Sequence, residues 1–132
     1  EWHKINERLD PYIWNDANAA FKDLYVNDEL DVKNPYASPV YGNFDGFPPM
    51  LIQVGGREVL IDDSKKIAKK AKEAGCNVSL EVWDDMVHVF HGYAPFLPEA
   101  NEALEAIGEF IADKWKMFKL INGKYIHIFT SR

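Results

Sequence analysis

Cysteine occurs once, at Cys76, so no disulfide can close within the chain, and this usage fits a reducing, cytoplasmic setting. Long apolar runs are missing too. Nothing approaches the roughly 18–20 apolar residues of a spanning helix, so no membrane span is expected. Nor is there a basic excess: 15 Lys and Arg stand against 21 Asp and Glu, a net charge of −6. That balance argues against nucleic acid as a default partner, because phosphate binding needs a basic stripe. The one dense lysine run, Lys65, Lys66, Lys69, Lys70 and Lys72, is interleaved with Ile67, Ala68 and Ala71. At that spacing it reads as the wet face of an amphipathic helix. No internal repeat or low-complexity stretch is seen, and no His, Cys and carboxylate group has metal-ligand spacing. The opening EWHKINERLDPYIW has neither an initiator methionine nor the basic-then-apolar order of a signal peptide. It reads as processed, or as beginning within something longer.

What is present is an aromatic-rich chain of 132 residues, 47% hydrophobic and 14% aromatic. At this length one domain with a real core is the most to expect. So many aromatics imply several buried clusters, or surfaces that something else covers. Residues 15–28 predict a short helix, with Ala17, Ala20, Phe21, Leu24 and Tyr25 on one stripe. From Asn27 to Pro49 the chain is rich in Asn, Asp, Gly and Pro. There Tyr36, Val40, Tyr41, Phe44 and Phe47 are expected to return an ordered loop to the core.

Met50 to Val54 is a short apolar run between Pro48-Pro49 and Gly55-Gly56, the form of a buried parallel strand. A helix is predicted from about Asp62 to Ala74, with Ile61, Ser64, Ile67, Ala68 and Ala71 inward. Asp62 or Asp63 is expected as its N-cap and Gly75 as its stop. Val78 to Trp83 alternates as a strand should, and Pro98 starts a long helix with Leu104, Ile107, Ile111 and Trp115 as its apolar stripe. This order is a βαβα unit with parallel strands and a right-handed crossover. Two parallel strands make no independently stable sheet, so the fold is expected to be incomplete. After Trp115, Phe118–Ile121 and Lys124–Phe129 flank Asn122-Gly123, a strong hairpin signal of the type I′ kind.

In open α/β sheets, working residues lie just beyond the carboxyl ends of the strands. The first strand runs into Gly55-Gly56-Arg57-Glu58-Val59-Leu60, the second into Asp84-Asp85-Met86-Val87-His88. Adjacent parallel strands would bring Glu58 and His88 to one sheet edge, within hydrogen-bonding reach. A carboxylate there can fix an imidazole tautomer and stabilise the imidazolium formed when the ring takes a proton from a nucleophile. The bland readings are a helix-approach carboxylate for Glu58 and a packed or surface histidine for His88.

The stretch NPYASPVYGNFDGFPPMLIQVGGREVLIDDS, followed by VSLEVWDDMVHVFHGYAPFLPEA, resembles the end of a bacterial hormone-sensitive-lipase-type esterase. The similarity covers roughly residues 8–113, including LDP at Leu9–Pro11 and ASP at Ala37–Pro39. That family's acid sits in a pattern of acidic residue, any residue, Leu, any residue and two acidic residues, which Glu58-Val59-Leu60-Ile61-Asp62-Asp63 fits. Its histidine sits in Gly-x-x-His-x-Phe, which Asp85-Met86-Val87-His88-Val89-Phe90 matches except that Asp85 replaces the glycine. Glutamate in place of the commoner aspartate is a second departure, and the loop must absorb its extra methylene. The third is larger: the Gly-x-Ser-x-Gly nucleophile elbow and the His-Gly-Gly-Gly oxyanion motif are nowhere in this sequence.

The resemblance therefore implies a partial α/β-hydrolase fold, with residues 1–115 as the C-terminal portion of the domain and 116–132 as a tail that can form a hairpin. It implies carboxylic ester hydrolysis by a Ser-His-Glu triad, with His88 as base then acid, Glu58 as its orienting acid, and the serine and oxyanion hole upstream. A small acyl ester is the implied substrate, and no cofactor is required. Asp62 is the fallback acid. His91 is a weak alternative to His88, and Ser38, Ser64, Ser79 and Ser131 all lack a nucleophile elbow. Cys76 has no base or cation placed to activate it. By themselves these residues are expected to turn over no ester. The competing reading is an inactive module that self-associates through an exposed sheet edge or through the tail.

Overall fold

A computed structural model describes residue 6 and residues 8–13, 32–114, 118–121 and 124–127. Its centre is the predicted unit: strand β1 (Met50–Gly55), helix α1 (Ile61–Glu73), strand β2 (Val78–Trp83) and helix α2 (Pro98–Lys114). β1 and β2 pair in parallel with no slip, from Met50 opposite Val78 to Gly55 opposite Trp83. The predicted α/β class holds, and among the described residues the parallel sheet has two strands, as the sequence implied. Strands β3 (Phe118–Ile121) and β4 (Lys124–His127) pair antiparallel, Ile121 against Lys124, as a hairpin requires. The helix expected over residues 15–28 and the Asn122-Gly123 turn lie outside the described residues. No described helix is long and apolar enough to cross a membrane.

Side-chain alternation along the paired strands assigns one helix to each face. Met50, Ile52, Val78 and Leu80 meet α1, where Ala68, Ala71, Phe44 and Val78 form one core cluster. On the other face Trp83 packs with Phe90, Ala100 and Ala103 in a second, smaller cluster. Period-two alternation is what lets a short strand serve two cores at once.

The ends of α1 show where local signals held. Ile61, Ala68 and Ala71 are buried as expected. Gly75 takes φ +81°, its N–H reaches Lys72 O at 3.0 Å, and Cys76 N–H reaches Ala71 O at 2.9 Å. That pair of bonds is a Schellman stop, which glycine at this position makes unstrained. The N-terminus differs from expectation: Leu60 is the cap, with no side-chain bond, and Asp62 and Asp63 fall in the first turn. There they still favour the helix dipole. Of the lysine face, Lys65, Lys66, Lys69 and Lys72 are exposed. Lys70 instead turns back, donating to Val40 O at 2.8 Å and Gly42 O at 3.1 Å. It ties α1 to the short 3-10 turn Pro39–Tyr41.

Two packing expectations need correction. Of the loop aromatics only Phe44 is buried, while Tyr36, Tyr41 and Phe47 are exposed. Under α1 the β1–β2 pair takes in the one ring, and Phe47 packs edge-on against it from outside, its centroid 5.2 Å from that of Phe44. On α2 the predicted stripe has the right phase, but Leu104 and Ile111 are exposed and Ala100 and Ala103 make the buried contact. Small residues let the helix approach Phe90 closely, and the large ones, Leu104 and Ile107, line an open groove of about 340 Å³ with Leu51, Gln53 and His91. Trp115 lies outside the described residues.

The tightest point is at the end of β1, where a Cβ on Gly55 would lie 2.3 Å from Met86 O and 2.8 Å from Val87 O. Both obstructing atoms are backbone, so the loop itself would have to move. Gly55→Ala is therefore expected to cost about 1–3 kcal/mol or more, read as a lower urea midpoint. An unchanged midpoint would contradict the close approach.

Candidate active site

Two loops leave the sheet side by side because their strands are parallel and in register. The first, residues 55–60, has no ladder to satisfy its backbone, so each polar group must find another partner. Gly56 N–H donates to Trp83 O, at the end of β2, at 2.8 Å, and Arg57 N–H to Met86 O, on the second loop, at 2.9 Å. The two loops are therefore joined through backbone, at the point where Gly55 lacks a side chain.

This junction brings Glu58 and His88 together. His88 Nδ1 lies 3.3 Å from Glu58 Oε1, and the other carboxylate oxygen, Oε2, accepts Gly55 N–H at 2.8 Å. The carboxylate is thus held at both oxygens. Its side chain is 8% exposed and the imidazole 28%: the acid is buried and the ring reaches solvent. With Nδ1–H donated to Glu58, Nε2 is left as the basic nitrogen, the arrangement a general base requires.

The backbone around His88 is strained on both sides. Asp85 has φ +63° and Val89 φ +50°. The left-handed region at position 85 is the physical reason for a glycine there, and aspartate is among the few other residues that tolerate it. Asp85 also pairs with Arg57 across the two loops, with both side chains largely exposed. At Val89 a β-branched residue stands where one is rarely found, directly after the histidine.

The remaining candidates go elsewhere. His91, in the 3-10 turn Phe90–Tyr93, has Nε2 2.8 Å from Gln53 Oε1 rather than facing Glu58. Gln53 Nε2 already donates to Glu81 Oε2 at 2.9 Å and Ala103 O at 3.0 Å, so Gln53 Oε1 accepts and His91 Nε2 carries the proton. Asp62 lies in the first turn of α1. Ser38 Oγ donates to Val32 O at 2.7 Å, Ser64 is within α1 and Ser79 is exposed on β2; Ser131 lies outside the described residues. Cys76 Sγ donates to Phe44 O at 2.9 Å. Among the described residues no three His, Cys, Asp or Glu converge as a metal cage would.

Two residues at the site had no weight in the sequence. Asn6, 1% exposed, donates through Nδ2 to Gly56 O at 3.0 Å and Glu58 O at 2.9 Å. Asp10, 5% exposed, accepts Tyr12 N–H at 2.9 Å and Ile13 N–H at 3.2 Å on Oδ1, and Val59 N–H at 3.1 Å on Oδ2. Asp10 was visible only as part of LDP, and nothing local marks Asn6.

Comparison with known proteins bears on the fold and the family. A model of the alpha/beta hydrolase fold matches residues 2–92. An acetyl-hydrolase of Streptomyces hygroscopicus is 47% identical over 81 residues, 61% of this chain and 27% of that protein. An esterase of Acinetobacter venetianus is 35% identical over 107 residues, 81% of this chain and 35% of its own length. The crystal structure of an esterase from the bacterial hormone-sensitive lipase family superposes with a TM-score of 0.82 at 41% identity, covering 86% of this chain and 38% of that one. The chain belongs to the α/β-hydrolase fold family, within its hormone-sensitive-lipase-like esterases. It spans about a third of the length of such relatives.

Burial lowers the pKa of His91 below its ordinary 6.5, and the charge of Glu58 opposes this only in part. The unfolded chain therefore binds a proton at a higher pH than the folded one. Stability is expected to fall as pH drops through and below 6.5 on this account. The urea midpoint of the protein checks this against His91→Gln, in which that part of the pH dependence should disappear. An identical pH profile for the two proteins would refute it.

Proposed function

We propose that the protein to which this chain contributes hydrolyses carboxylic esters through a serine–histidine–glutamate relay. The observation that carries this reading is the Glu58–His88 pair, a buried carboxylate 3.3 Å from Nδ1 of a half-buried imidazole at adjacent strand ends. In this relay His88 Nε2 takes the proton of the attacking serine hydroxyl and returns it to the leaving alcohol. Glu58 keeps the proton on Nδ1 and stabilises the imidazolium while it exists. No candidate serine within these 132 residues has an elbow, so the nucleophile and oxyanion donors belong to a further segment. Residues 1–115 then supply the acid and base half of the hydrolase domain, and 116–132 form its tail. The substrate class is a small acyl ester, and the relay calls for no cofactor.

The test is turnover of a short-chain p-nitrophenyl ester by the protein carrying this chain together with its nucleophile segment. His88→Ala should reduce kcat/KM about a thousandfold or more, and Glu58→Gln about a hundredfold or more. Retained turnover in His88→Ala would remove the histidine from the mechanism and the reading with it.

A further inference from the structure

We infer that Asn6 and Asp10 are positioning residues for Glu58, an inference that rests on the esterase reading above. Glu58 stands in a loop whose own backbone supplies only one bond, Glu58 N–H to Gly55 O at 3.3 Å. What holds the residue is the peptide that follows it. Its carbonyl, Glu58 O, accepts from Asn6 Nδ2 at 2.9 Å, and its N–H, that of Val59, donates to Asp10 Oδ2 at 3.1 Å. Both polar ends of one peptide plane are thus gripped by buried side chains from a segment about fifty residues upstream. Asn6 also takes Gly56 O at 3.0 Å, so one amide spans the carbonyls on either side of Arg57.

Fixing that plane fixes ψ of Glu58 and φ of Val59, and so the direction in which the glutamate leaves the backbone. The constraint matters more for glutamate than for aspartate. A carboxylate one methylene further out swings further for the same backbone rotation, and has one more torsion to settle. With the plane free, Oε1 would leave Nδ1 of His88 while the sheet stayed intact. Asp10 is itself held in place, because its Oδ1 is occupied by Tyr12 and Ile13 N–H. The two side chains therefore brace the acid through its backbone, without touching substrate.

A double-mutant cycle in the intact protein tests this. Asn6→Ala and Asp10→Asn are each made in the wild-type and Glu58→Gln backgrounds. The readouts are kcat and KM on a p-nitrophenyl ester, and the NMR resonance of the His88 Nδ1 proton. Expected in the wild-type background is a kcat loss of about tenfold or more, with KM within about twofold, and a His88 Nδ1–H resonance shifted toward its position in Glu58→Gln. In the Glu58→Gln background the same substitutions should lose almost nothing further, because the group they position is gone. Equal losses in both backgrounds, or a His88 Nδ1–H resonance unmoved by either substitution, would reduce Asn6 and Asp10 to structural groups and overturn the inference. Should Asn6→Ala fail to fold, Asp10→Asn keeps the side chain's size and carries the same decision. A Glu58→Gln protein with full kcat and an unmoved His88 Nδ1–H resonance would instead sink the esterase reading itself.

Discussion

The register of β1 against β2 is the constraint from which the other features follow. Because Gly55 stands opposite Trp83, both strands end at the same level and their loops emerge in contact. Main-chain bonds from Gly56 and Arg57 to Trp83 and Met86 then lock the loops together. A slip of one residue would exchange the α1 and α2 faces of a strand and move one loop end by about 3.3 Å. That displacement equals the whole separation between Glu58 and His88. The approach also requires that nothing stand between the loops, which is why the position at the end of β1 is glycine.

Around that junction the polar groups are organised on two levels. Close in, the Glu58 carboxylate is shared between His88 and Gly55 N–H. Behind it, Asn6 and Asp10 satisfy the backbone that the loop geometry leaves unpaired. Buried polar groups are costly unless they are bonded, so each of these contacts both stabilises the fold and restricts where the acid can be. On the α2 face, Gln53 plays a similar part for His91, linking it to Glu81 and to the helix backbone. That histidine is thereby engaged away from Glu58, which leaves His88 to the acid.

Much of the fold was legible because it rests on short-range physics. The Met50–Gly55 run between prolines and glycines, the alternation of Val78–Trp83, the Schellman stop at Gly75 and the proline start of α2 each depend on a few adjacent residues. Where packing decides, sequence reading failed in a consistent way. It sent Leu104, Ile111, Tyr36, Tyr41 and Phe47 inward, and all five are exposed. Apolarity marks a residue as able to be buried, but the described β1–α1–β2–α2 unit offers few places to bury it. The N-cap of α1 failed differently. The turn beginning at Gly55 runs straight into the helix at Ile61, so the acid loop, rather than an aspartate side chain, defines where α1 starts.

For the site, sequence alone determined the residue types and their separation: an acid after one strand and a histidine after the next, thirty residues on. Topology rules that put working residues at the carboxyl ends of parallel strands carried that inference, since they need only the order of elements. Tertiary structure alone decided which nitrogen of His88 faces Glu58, that Asp85 must adopt a left-handed conformation, and that Asn6 and Asp10 grip the acid's peptide. Those facts depend on contacts between residues thirty to about fifty positions apart and on backbone angles. No periodicity encodes them, because a hydrogen bond across the fold is made only when both partners have been brought to the same place.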